Sequence, residues 1–360
     1  MKIVAVPPVP FYATYDVYRG QVKALKTLGA EVIEVPYGKI WNRYSDFGEW
    51  MVVTSRALYG TLNINKMAAM HVIAGVLEQL PDLVYIVAPM HFFLPTIDAL
   101  ANLRKLGVKV AVCFTESPYD DDSWQLGFAE HIDFAFVMDR ISLPRFHERN
   151  SQSFYLGHAY DPEIHYPGDD ERDIEAIMVT TLFPSRKAFL EAVEWDGLDL
   201  QIYGVAPVGR NSSLRPFVKV NKAMANEIVA QLYRRSQLGI QLHRQDRITG
   251  RELVEAMARG DTGILGAVAD PSLKGHSLGP RSYELAGCGV CQVSDAERPE
   301  LTEVFDGSVP TFQTPEDLSA ILRQLRDDPV RRQKYASEQQ IAVRPYTFER
   351  RMRTVLEAVT

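Results

Sequence analysis

Residues 279–293 read Gly279-Pro280-Arg281-Ser282-Tyr283-Glu284-Leu285-Ala286-Gly287-Cys288-Gly289-Val290-Cys291-Gln292-Val293. The Gly-Pro entry is typical of a helix that begins at the proline, because the first helical position does not need a backbone N–H. The glycines near residue 288 favour the end of that helix, and the apolar run after them is typical of a buried strand. The stretch therefore predicts a short helix leading directly into a strand, as in parallel α/β sheets.

The same alternation recurs along the whole chain. Apolar, strand-length runs without polar alternation lie at 2–6, 31–35, 82–87, 108–114, 132–137, 174–180, 198–203, 238–242, 290–293 and 309–312. Segments with helical periodicity lie at 15–28, roughly 48–58, 64–79, 94–106, 184–193, 222–235, 314–326, 329–340 and 348–359. Buried strands separated by helices predict parallel sheets covered on both faces.

A loop-rich stretch at 160–172, dense in Asp, Pro and Gly, divides this pattern into two halves. We therefore expect an α/β protein of two Rossmann-like domains that face each other across a cleft. The expected boundaries are 1–160 for the N-terminal domain and 161–345 for the C-terminal domain. A basic amphipathic helix at 346–360 is expected to pack back on the N-terminal domain.

Composition narrows the class of protein without choosing a function. The chain has 360 residues, 46% hydrophobic and 24% charged, and a formal net charge of −7, which is typical of a globular protein of two domains. The longest apolar runs are far shorter than a membrane span. Three cysteines lie in or beside apolar runs, which favours buried free thiols and a cytoplasmic setting over zinc or redox chemistry.

Arg281 and Glu284 are three residues apart at the start of the predicted helix at 279–287. A carboxylate there can accept hydrogen bonds from the two ribose hydroxyls of a nucleotide. The guanidinium and the free N–H groups of the helix start suit a diphosphate, and Gly279 and Pro280 let the backbone approach it. This pattern indicates a sugar-nucleotide site. No G-x-G-x-x-G follows the first strand, which disfavours a dinucleotide oxidoreductase.

The second half of the chain resembles the nucleotide-binding domain of GT-B fold glycosyltransferases, in particular the spore-maturation CgeB-like branch and, more widely, group 1. The segment 281–289 is similar to the Arg-x-aromatic-Glu-x-x-Ala/Gly-x-Gly pattern of that branch, and an apolar strand, Asp295 and 298–301 (Arg-Pro-Glu-Leu) follow it in the same order. Shorter similarities are Tyr-Asp-Pro-Glu at 160–163, Phe-Pro-Ser-Arg at 183–186, Ile-Tyr-Gly at 202–204 and Tyr-Thr-Phe-Glu-Arg at 346–350.

The resemblance implies a hexosyl- or pentosyltransferase that uses a UDP-, GDP- or TDP-sugar as co-substrate, with no bound cofactor and no required metal. One position departs from the wider pattern. Group-1 enzymes often carry an acid that contacts the donor sugar seven residues before the ribose glutamate, where this chain has Ser277. We still expect Ser277 to lie on the donor side of the site. The resemblance does not specify which sugar is transferred or whether its anomeric configuration is retained or inverted.

Several further residues follow predicted strands, where ligands of parallel sheets bind. On the donor side, Arg186 and Lys187 come after the strand at 174–180 and could neutralise the leaving diphosphate. Tyr203 and Gly204 end the next strand, where a base could lie over the backbone. His243 follows the strand at 238–242, a position expected near the nucleobase.

The N-terminal half is expected to bind the acceptor. Phe11, Tyr12 and Tyr15 follow the first strand and could line an acceptor groove or cover the sheet. His91, Glu116 and Asp120 are candidates for the base that deprotonates the acceptor hydroxyl, since each follows a predicted strand. The triple aspartate at 120–122 could suggest a metal, but a solvated acidic cap for the helix after Ser123 is the favoured interpretation.

The sequence leaves three functions open. The first is a transferase acting on a polysaccharide, a protein, a small molecule or a modified DNA base, although the acidic balance disfavours DNA. The second is a sugar-nucleotide epimerase on the same fold. The third is a non-catalytic relative that binds nucleotide or glycan.

Overall fold

The fold is described from a computed structural model for residues 1–8, 14–54, 64–89, 94–248 and 267–360. The chain divides into two compact units. The first comprises Met1–Ser117, Asp121–Leu156 and Arg351–Thr360, and the second comprises Pro118–Asp120 and Gly157–Arg350. Among the described residues, no helix combines the length and apolarity that a membrane crossing requires.

The first unit alternates strands with helices. Its strands are β1 (Lys2–Val6), β2 (Glu31–Glu34), β3 (Leu83–Val87), β4 (Lys109–Phe114), β5 (Phe134–Val137) and β6 (Ser153–Tyr155). Its helices are α1 (Tyr15–Thr27), α2 (Tyr37–Thr54), α3 (Ile64–Gln79), α4 (Leu94–Leu103), α5 (Leu126–Ala129) and α6 (Leu143–Arg149).

The sheet of the first unit is parallel, in the order β2-β1-β3-β4-β5-β6. Strand β3 is buried at every position, as expected for a strand with helices on both faces. The strand order reverses beside β1, so the carboxyl ends of β1 and β3 form the switch point where ligands of such sheets bind.

The second unit repeats this plan. Its strands are β7 (Ile174–Thr181), β8 (Leu200–Val205), β9 (Val218–Asn221), β10 (Ser236–Gln241), β11 (Asp246–Ile248), β12 (Ala267–Ala269), β13 (Cys291–Asp295) and β14 (Thr311–Phe312). Its helices are α7 (Pro184–Glu191), α8 (Asn226–Arg234), α9 (Pro280–Gly287), α10 (Pro299–Phe305), α11 (Pro315–Asp327) and α12 (Pro329–Val343). A last helix, α13 (Phe348–Val359), begins in this unit and ends in the first.

The second sheet is also parallel, in the order β14-β13-β10-β7-β8-β9. One apolar core joins one face of the sheet to side chains of α7 and α11, and another joins the opposite face to α8 and α9. The chain runs outward from β7 through β8 and β9, then returns to the other side of β7 at β10. The switch point therefore lies at the carboxyl ends of β7 and β10. The predicted α/β class with two Rossmann-like sheets is confirmed.

Some elements differ from the predicted ones. Helix α2 begins at Tyr37, eleven residues before the predicted start at Gly48. Its first turns do carry helical apolar spacing, because Tyr37 and Ile40 are buried in the core and Trp41 and Tyr44 pack against it, so the predicted start is wrong. Strand β9 was missed, and helix α8 begins at Asn226 instead of Lys222. The strand lies at the edge of the sheet and carries the exposed Lys219, so it lacks a continuous apolar run.

Glycine at position 204, in β8, is required by the local backbone. Its φ is +107°, and a Cβ added there would lie 2.3 Å from the carbonyl oxygen of Thr180 on the neighbouring strand. Strands β7 and β8 can stay paired at this point only if the residue has no side chain. Gly204 is a predicted donor-binding residue. The structure shows in addition that the pairing of β7 and β8 requires a glycine at this position.

We expect Gly204→Ala to lower the free energy of unfolding by at least about 2 kcal/mol, because the substitution combines an unfavourable φ with a clash against fixed backbone. Urea denaturation followed by circular dichroism measures the loss. The control is Gly209→Ala, since a Cβ at Gly209 would meet no atom within 4 Å. Equal stability of the two variants would contradict the steric argument.

Candidate functional site

The N-terminus of α9 lies at the carboxyl edge of the second sheet, because the helix runs back from that edge to the start of β13. Gly279 is the N-cap residue, in an extended conformation, and Pro280 is the first helical residue. A Cβ at Gly279 would meet no atom within 4 Å. Among the described residues, packing thus does not demand a glycine at this position, and the N–H groups at a helix start favour anions.

Glu284 lies one turn into α9 and is 3% exposed. Arg281 donates from Nη1 to Glu284 Oε2 at 2.5 Å and to Asn226 Oδ1 at 2.9 Å. Asn226, the first residue of α8, donates from Nδ2 to Glu284 Oε1 at 3.2 Å. These three side chains form a closed hydrogen-bonded triad that fixes the carboxylate. Each carboxylate oxygen accepts one bond in the triad and keeps a second lone pair.

The triad keeps Glu284 ionised despite its burial. Burial alone would raise the pKa of the carboxyl group, but the charge of Arg281, with the hydrogen bonds from Arg281 and Asn226, holds that pKa below its usual value. An ionised, immobile acceptor is the group that a ribose diol requires. Asn226 was not singled out from the sequence, since an Asn at a helix start is ordinary and its partner lies 58 residues away.

The linker supports α9 from behind. A Cβ at Gly287, the last residue of α9, would lie 2.8 Å from the ring of Tyr160, so the glycine admits this ring. His165 is buried nearby, and its Nδ1 lies 3.2 Å from the carbonyl of Asp161. Burial lowers the pKa of His165, although the charge of Glu284 opposes that shift. The Tyr-Asp-Pro-Glu stretch at 160–163 thus packs against the helix that carries Arg281 and Glu284.

Arg186 lies in the first turn of α7, at the switch point of the second sheet. Its Nε donates to Leu242 O at 2.6 Å, and its Nη1 donates to Thr181 O at 2.9 Å and Thr180 Oγ1 at 3.0 Å. None of these acceptors is charged. Burial lowers the pKa of Arg186 to about 10, so the group still carries its charge at neutral pH. A half-buried guanidinium whose hydrogen bonds go only to neutral oxygens can take a further, anionic partner.

His243 follows β10 at the same switch point and is 7% exposed. Its backbone N–H donates to Asp295 Oδ2 at 2.7 Å, and its Nδ1 contacts Asp295 Oδ1. Burial would raise the pKa of Asp295, but the charge of His243 and these hydrogen bonds, with Arg298, lower it. Asp295 was noted in the sequence only as part of a family pattern, and its pairing with a residue 52 positions away needed the fold.

Asp120, a predicted base candidate, lies in an ionic network of the second unit. Its Oδ1 accepts from Arg244 Nη2 at 3.4 Å, and the Arg244 guanidinium lies 4.5 Å from the ring centre of Tyr119. Tyr119 donates to Arg244 O at 2.7 Å and is contacted by Arg298. Arg244 follows the same predicted strand as His243, but its partners Asp120 and Tyr119 lie more than a hundred residues away, and no local sequence signal links them.

The other donor-side candidates are placed as follows. Lys187 Nζ lies 3.7 Å from Glu191 Oε1, one turn along α7. Tyr203 packs in the core beneath α8 and donates to Gln201 Oε1 at 2.8 Å. Ser277 is buried in the loop before α9, where Leu278 N donates to Glu300 Oε2 at 2.6 Å. The structure thus brings Arg281 and Glu284 together, and Arg186 near the loop of His243, but leaves Lys187 paired along its own helix.

In the first unit, Glu116 is half-buried, and its carboxylate accepts from Thr115 Oγ1 at 3.3 Å. Tyr15 begins α1, with its ring centre 5.9 Å from that of Tyr18. His91, Phe11 and Tyr12 lie outside the described residues. Neither His91 nor the two aromatics can therefore be assigned a position.

The expectation that the aspartates at 120–122 form a solvated cap is wrong for two of the three. Asp120 and Asp121 are each 1% exposed, and Asp122 alone is exposed. Asp121 accepts from Ser117 Oγ at 2.8 Å and from Gln125 Nε2 at 3.1 Å, within the first unit. Burial raises its pKa. Ser117 and Gln125 are local partners of Asp121, whereas the Ser142 hydroxyl, which also contacts its carboxylate, lies 21 residues away. Across the described ranges, no group of three His, Cys, Asp or Glu side chains could hold a metal ion.

Comparisons with known proteins bear on the second unit and on the fold. Residues 186–357, a little under half of the chain, match a family model described as "Glycosyl transferase-like". A search of curated proteins finds no significant match.

Solved structures extend the likeness to the whole chain. HepE from Anabaena, in complex with UDP-glucose, has a TM-score of 0.61 at 12% identity, covering 99% of this chain and 100% of that one. The DNA modifying enzyme β-glucosyltransferase gives 0.59 at 12%, covering 100% and 99%. Sucrose-phosphate synthase from Thermosynechococcus elongatus gives 0.59 at 11%, covering 99% and 98%. The chain therefore has the GT-B fold, and its residues 186–357 are similar to the glycosyltransferase-like family.

We expect Arg281→Ala to destabilise the protein by about 3 kcal/mol at pH 7, because it leaves the buried Glu284 without its counter-charge. Burial then outweighs the remaining hydrogen bond from Asn226 and raises the folded-state pKa of Glu284 above that of the unfolded chain. A carboxyl group with a raised folded-state pKa gains stability as the pH falls. The deficit relative to the parent protein should therefore shrink between pH 7 and pH 5 in urea denaturation.

The control for this measurement is Arg281→Ala combined with Glu284→Gln, which removes the titrating acid. Its deficit should not change over the same pH range. A deficit of Arg281→Ala that stays constant from pH 7 to pH 5 would contradict the triad's electrostatic role.

Proposed function

We propose that this protein is a glycosyltransferase that moves a sugar from a nucleotide-sugar donor to an acceptor hydroxyl. The observation that supports it most is the triad of Arg281, Glu284 and Asn226, which holds an ionised carboxylate at the carboxyl edge of the second sheet. The GT-B fold and the glycosyltransferase-like match over residues 186–357 agree with this function.

The donor's nucleotide is assigned to the second unit. The free lone pairs of Glu284 accept the 2′ and 3′ hydroxyls of ribose, and the N–H groups at the start of α9 take a phosphate, with Arg281 beside them. Arg186 supplies a second cation at the switch point. Tyr203, Gly204 and Ser277 contribute backbone or loop surface, and Lys187 contributes long-range charge from α7.

The reaction needs charge stabilisation more than covalent chemistry. The acceptor oxygen attacks the anomeric carbon, the bond from that carbon to the phosphate oxygen breaks, and its electron pair stays on the leaving nucleoside diphosphate. Fixed N–H groups and guanidinium ions at that oxygen stabilise the transition state. A general base removes the acceptor proton, and we assign it to His91 or Glu116. Asp120 is less suited, because Arg244 already contacts its carboxylate.

The finer assignments follow the resemblance of the sequence. We propose a metal-independent hexosyl- or pentosyltransferase close to the CgeB-like branch, with Phe11, Tyr12 and Tyr15 on the acceptor side. The buried free thiols of Cys113, Cys288 and Cys291 support a reducing, cytoplasmic compartment. A carbohydrate, a protein, a small molecule or a modified DNA base remain the acceptor classes, and the net charge of −7 disfavours DNA.

The function is tested by incubating the protein with UDP-, GDP- and TDP-sugars, with and without each acceptor class, and analysing the products by mass spectrometry. Nucleotide release with a glycosylated acceptor supports the transferase. Interconversion of the sugar nucleotide without release indicates an epimerase. A thermal shift without any product indicates a non-catalytic binder, and the absence of both would overturn sugar-nucleotide binding altogether.

We expect Glu284→Ala to weaken donor affinity by roughly 1.5–3 kcal/mol, the range for loss of a hydrogen bond to a charged group. Isothermal titration with the donor from the screen measures the change. Glu297→Gln is the control, since Glu297 is an exposed glutamate of the same unit that pairs with Lys274. Retained affinity in a folded Glu284→Ala protein would remove the ribose assignment.

We expect Arg186→Gln to reduce affinity for the nucleoside diphosphate about tenfold or more while leaving affinity for the nucleoside unchanged, because the lost group is a cation. Paired titrations of UDP and uridine, or of the matching pair for another donor, measure both. Lys334→Gln, a change at an exposed lysine of α12, is the control. An equal loss for nucleoside and diphosphate would place Arg186 away from the phosphates.

A further inference from the structure

The imidazole of His243 is oriented by a two-point contact. Asp295, at the end of β13, accepts the backbone N–H of His243 through one oxygen and contacts Nδ1 through the other. Both residues are more than nine-tenths buried. The ring is thus held at the end of β10, and Nδ1 is committed to the carboxylate.

The other ring nitrogen is left unsatisfied. Nε2 of His243 is buried and has no hydrogen-bond partner among the described residues. A buried polar atom without a partner destabilises the folded state, so its presence in a fixed orientation calls for an explanation. A ligand that completes the hydrogen bond is one such explanation.

The position of the ring indicates what that ligand would offer. Leu242, the residue before His243, accepts a hydrogen bond at 2.6 Å from Arg186 Nε. The imidazole and the Arg186 guanidinium therefore lie on neighbouring loops at the switch point. The charged groups that surround the pair are Asp295 and Arg298 from the β13 side, Asp246 from β11, Arg186 from α7, and the adjacent Arg244.

We propose that His243 is a catalytic residue that donates a hydrogen bond from Nε2 to the leaving phosphate, and that Asp295 is its positioning residue. This inference rests on the proposed function. With Nδ1–H donated to Asp295, the imidazolium form carries a second proton on Nε2. When the anomeric carbon–oxygen bond breaks, the electron pair stays on the phosphate oxygen, and Nε2–H stabilises the new charge without transferring its proton.

This assignment replaces the sequence-based expectation that His243 lies near the nucleobase. A base contact would use the ring as a hydrogen-bond partner for one nucleobase and would set the choice among uridine, guanosine and thymidine. A phosphate contact has no such preference, and the Arg186 guanidinium beside the ring favours it.

Two substitutions separate the two ring nitrogens. In His243→Asn the side-chain amide reaches the place of Nδ1 and keeps the contact with Asp295, but nothing stands at the place of Nε2. In His243→Gln the amide nitrogen reaches the place of Nε2 and can still donate there. A merely structural histidine would tolerate the asparagine better, and a phosphate donor would tolerate the glutamine better.

The protein is first tested for binding of UDP-glucose, GDP-glucose and TDP-glucose. Each donor that binds is then used in the kinetic and affinity measurements. Nucleotide release, to water or to an acceptor, gives kcat and KM, and titrations of the diphosphate and its nucleoside give affinities. We expect His243→Asn to lower kcat on the order of 100-fold with little change in nucleoside affinity. We expect His243→Gln to retain at least a tenth of the parent kcat.

Asp295→Asn tests the positioning role. It should lower kcat in the parent protein and have little further effect in the His243→Asn background, because residues that act through one another are not additive. Full additivity would overturn the role of Asp295.

The outcomes distinguish this inference from the function on which it rests. If the parent protein binds none of the three donors, the proposed glycosyltransferase function and the proposed role of His243 are both overturned. If it binds and releases nucleotide but His243→Asn keeps the parent kcat, or His243→Gln is the more damaged variant, the inference alone falls. A changed preference among the three donors with an unchanged kcat would likewise overturn it and return His243 to the nucleobase. Thermal denaturation of each variant, with the unfolding midpoint held near that of the parent, excludes misfolding as the cause.

Discussion

The ion pair between Arg281 and Glu284 is the interaction on which the site depends. A buried carboxylate would ordinarily take up a proton, and a neutral acid is a weaker acceptor for a diol. Arg281 and Asn226 prevent this by surrounding the carboxylate with a charge and an amide at hydrogen-bond distance. The hydrogen bonds from Asn226 to Glu284 and from Arg281 to Asn226 also connect α8 to α9. These contacts therefore fix both the geometry of the site and the packing of the two helices.

The remaining charged groups of the second unit follow from its topology. Parallel strands present their carboxyl ends at one edge, and the reversal of strand order at β7 and β10 leaves space there. Arg186 and His243 come from the two loops that border this space, whereas Arg298 enters after β13. Asp120 pairs with Arg244, Asp295 pairs with His243, and Asp246 accepts a hydrogen bond from Ser185. The hydrogen bonds of Arg186 go only to neutral oxygens, which makes its guanidinium a candidate for binding an anion.

The first unit has the same plan but a different chemical character in its described part. Asp121, at the carboxyl edge of its sheet, accepts hydrogen bonds from two serine hydroxyls and a glutamine amide. These bonds stabilise the loop after β4, and we assign Asp121 no role in ligand binding. Glu116, which lies before it, is less enclosed.

The sequence by itself determined the α/β class, the alternation of elements and most strand positions, because a strand buried on both faces must be apolar at every position. It also determined that Arg281 and Glu284 share one face of a helix start, since residues three apart always do. Only the tertiary structure decided what those side chains meet. Asn226, Asp295 and Asp246 act through partners more than fifty residues away in the chain, and no local pattern records such pairs. Burial, too, was decided by the fold: the aspartates at 120 and 121 look solvated in a polar stretch, and only the packing of distant segments around them excludes water.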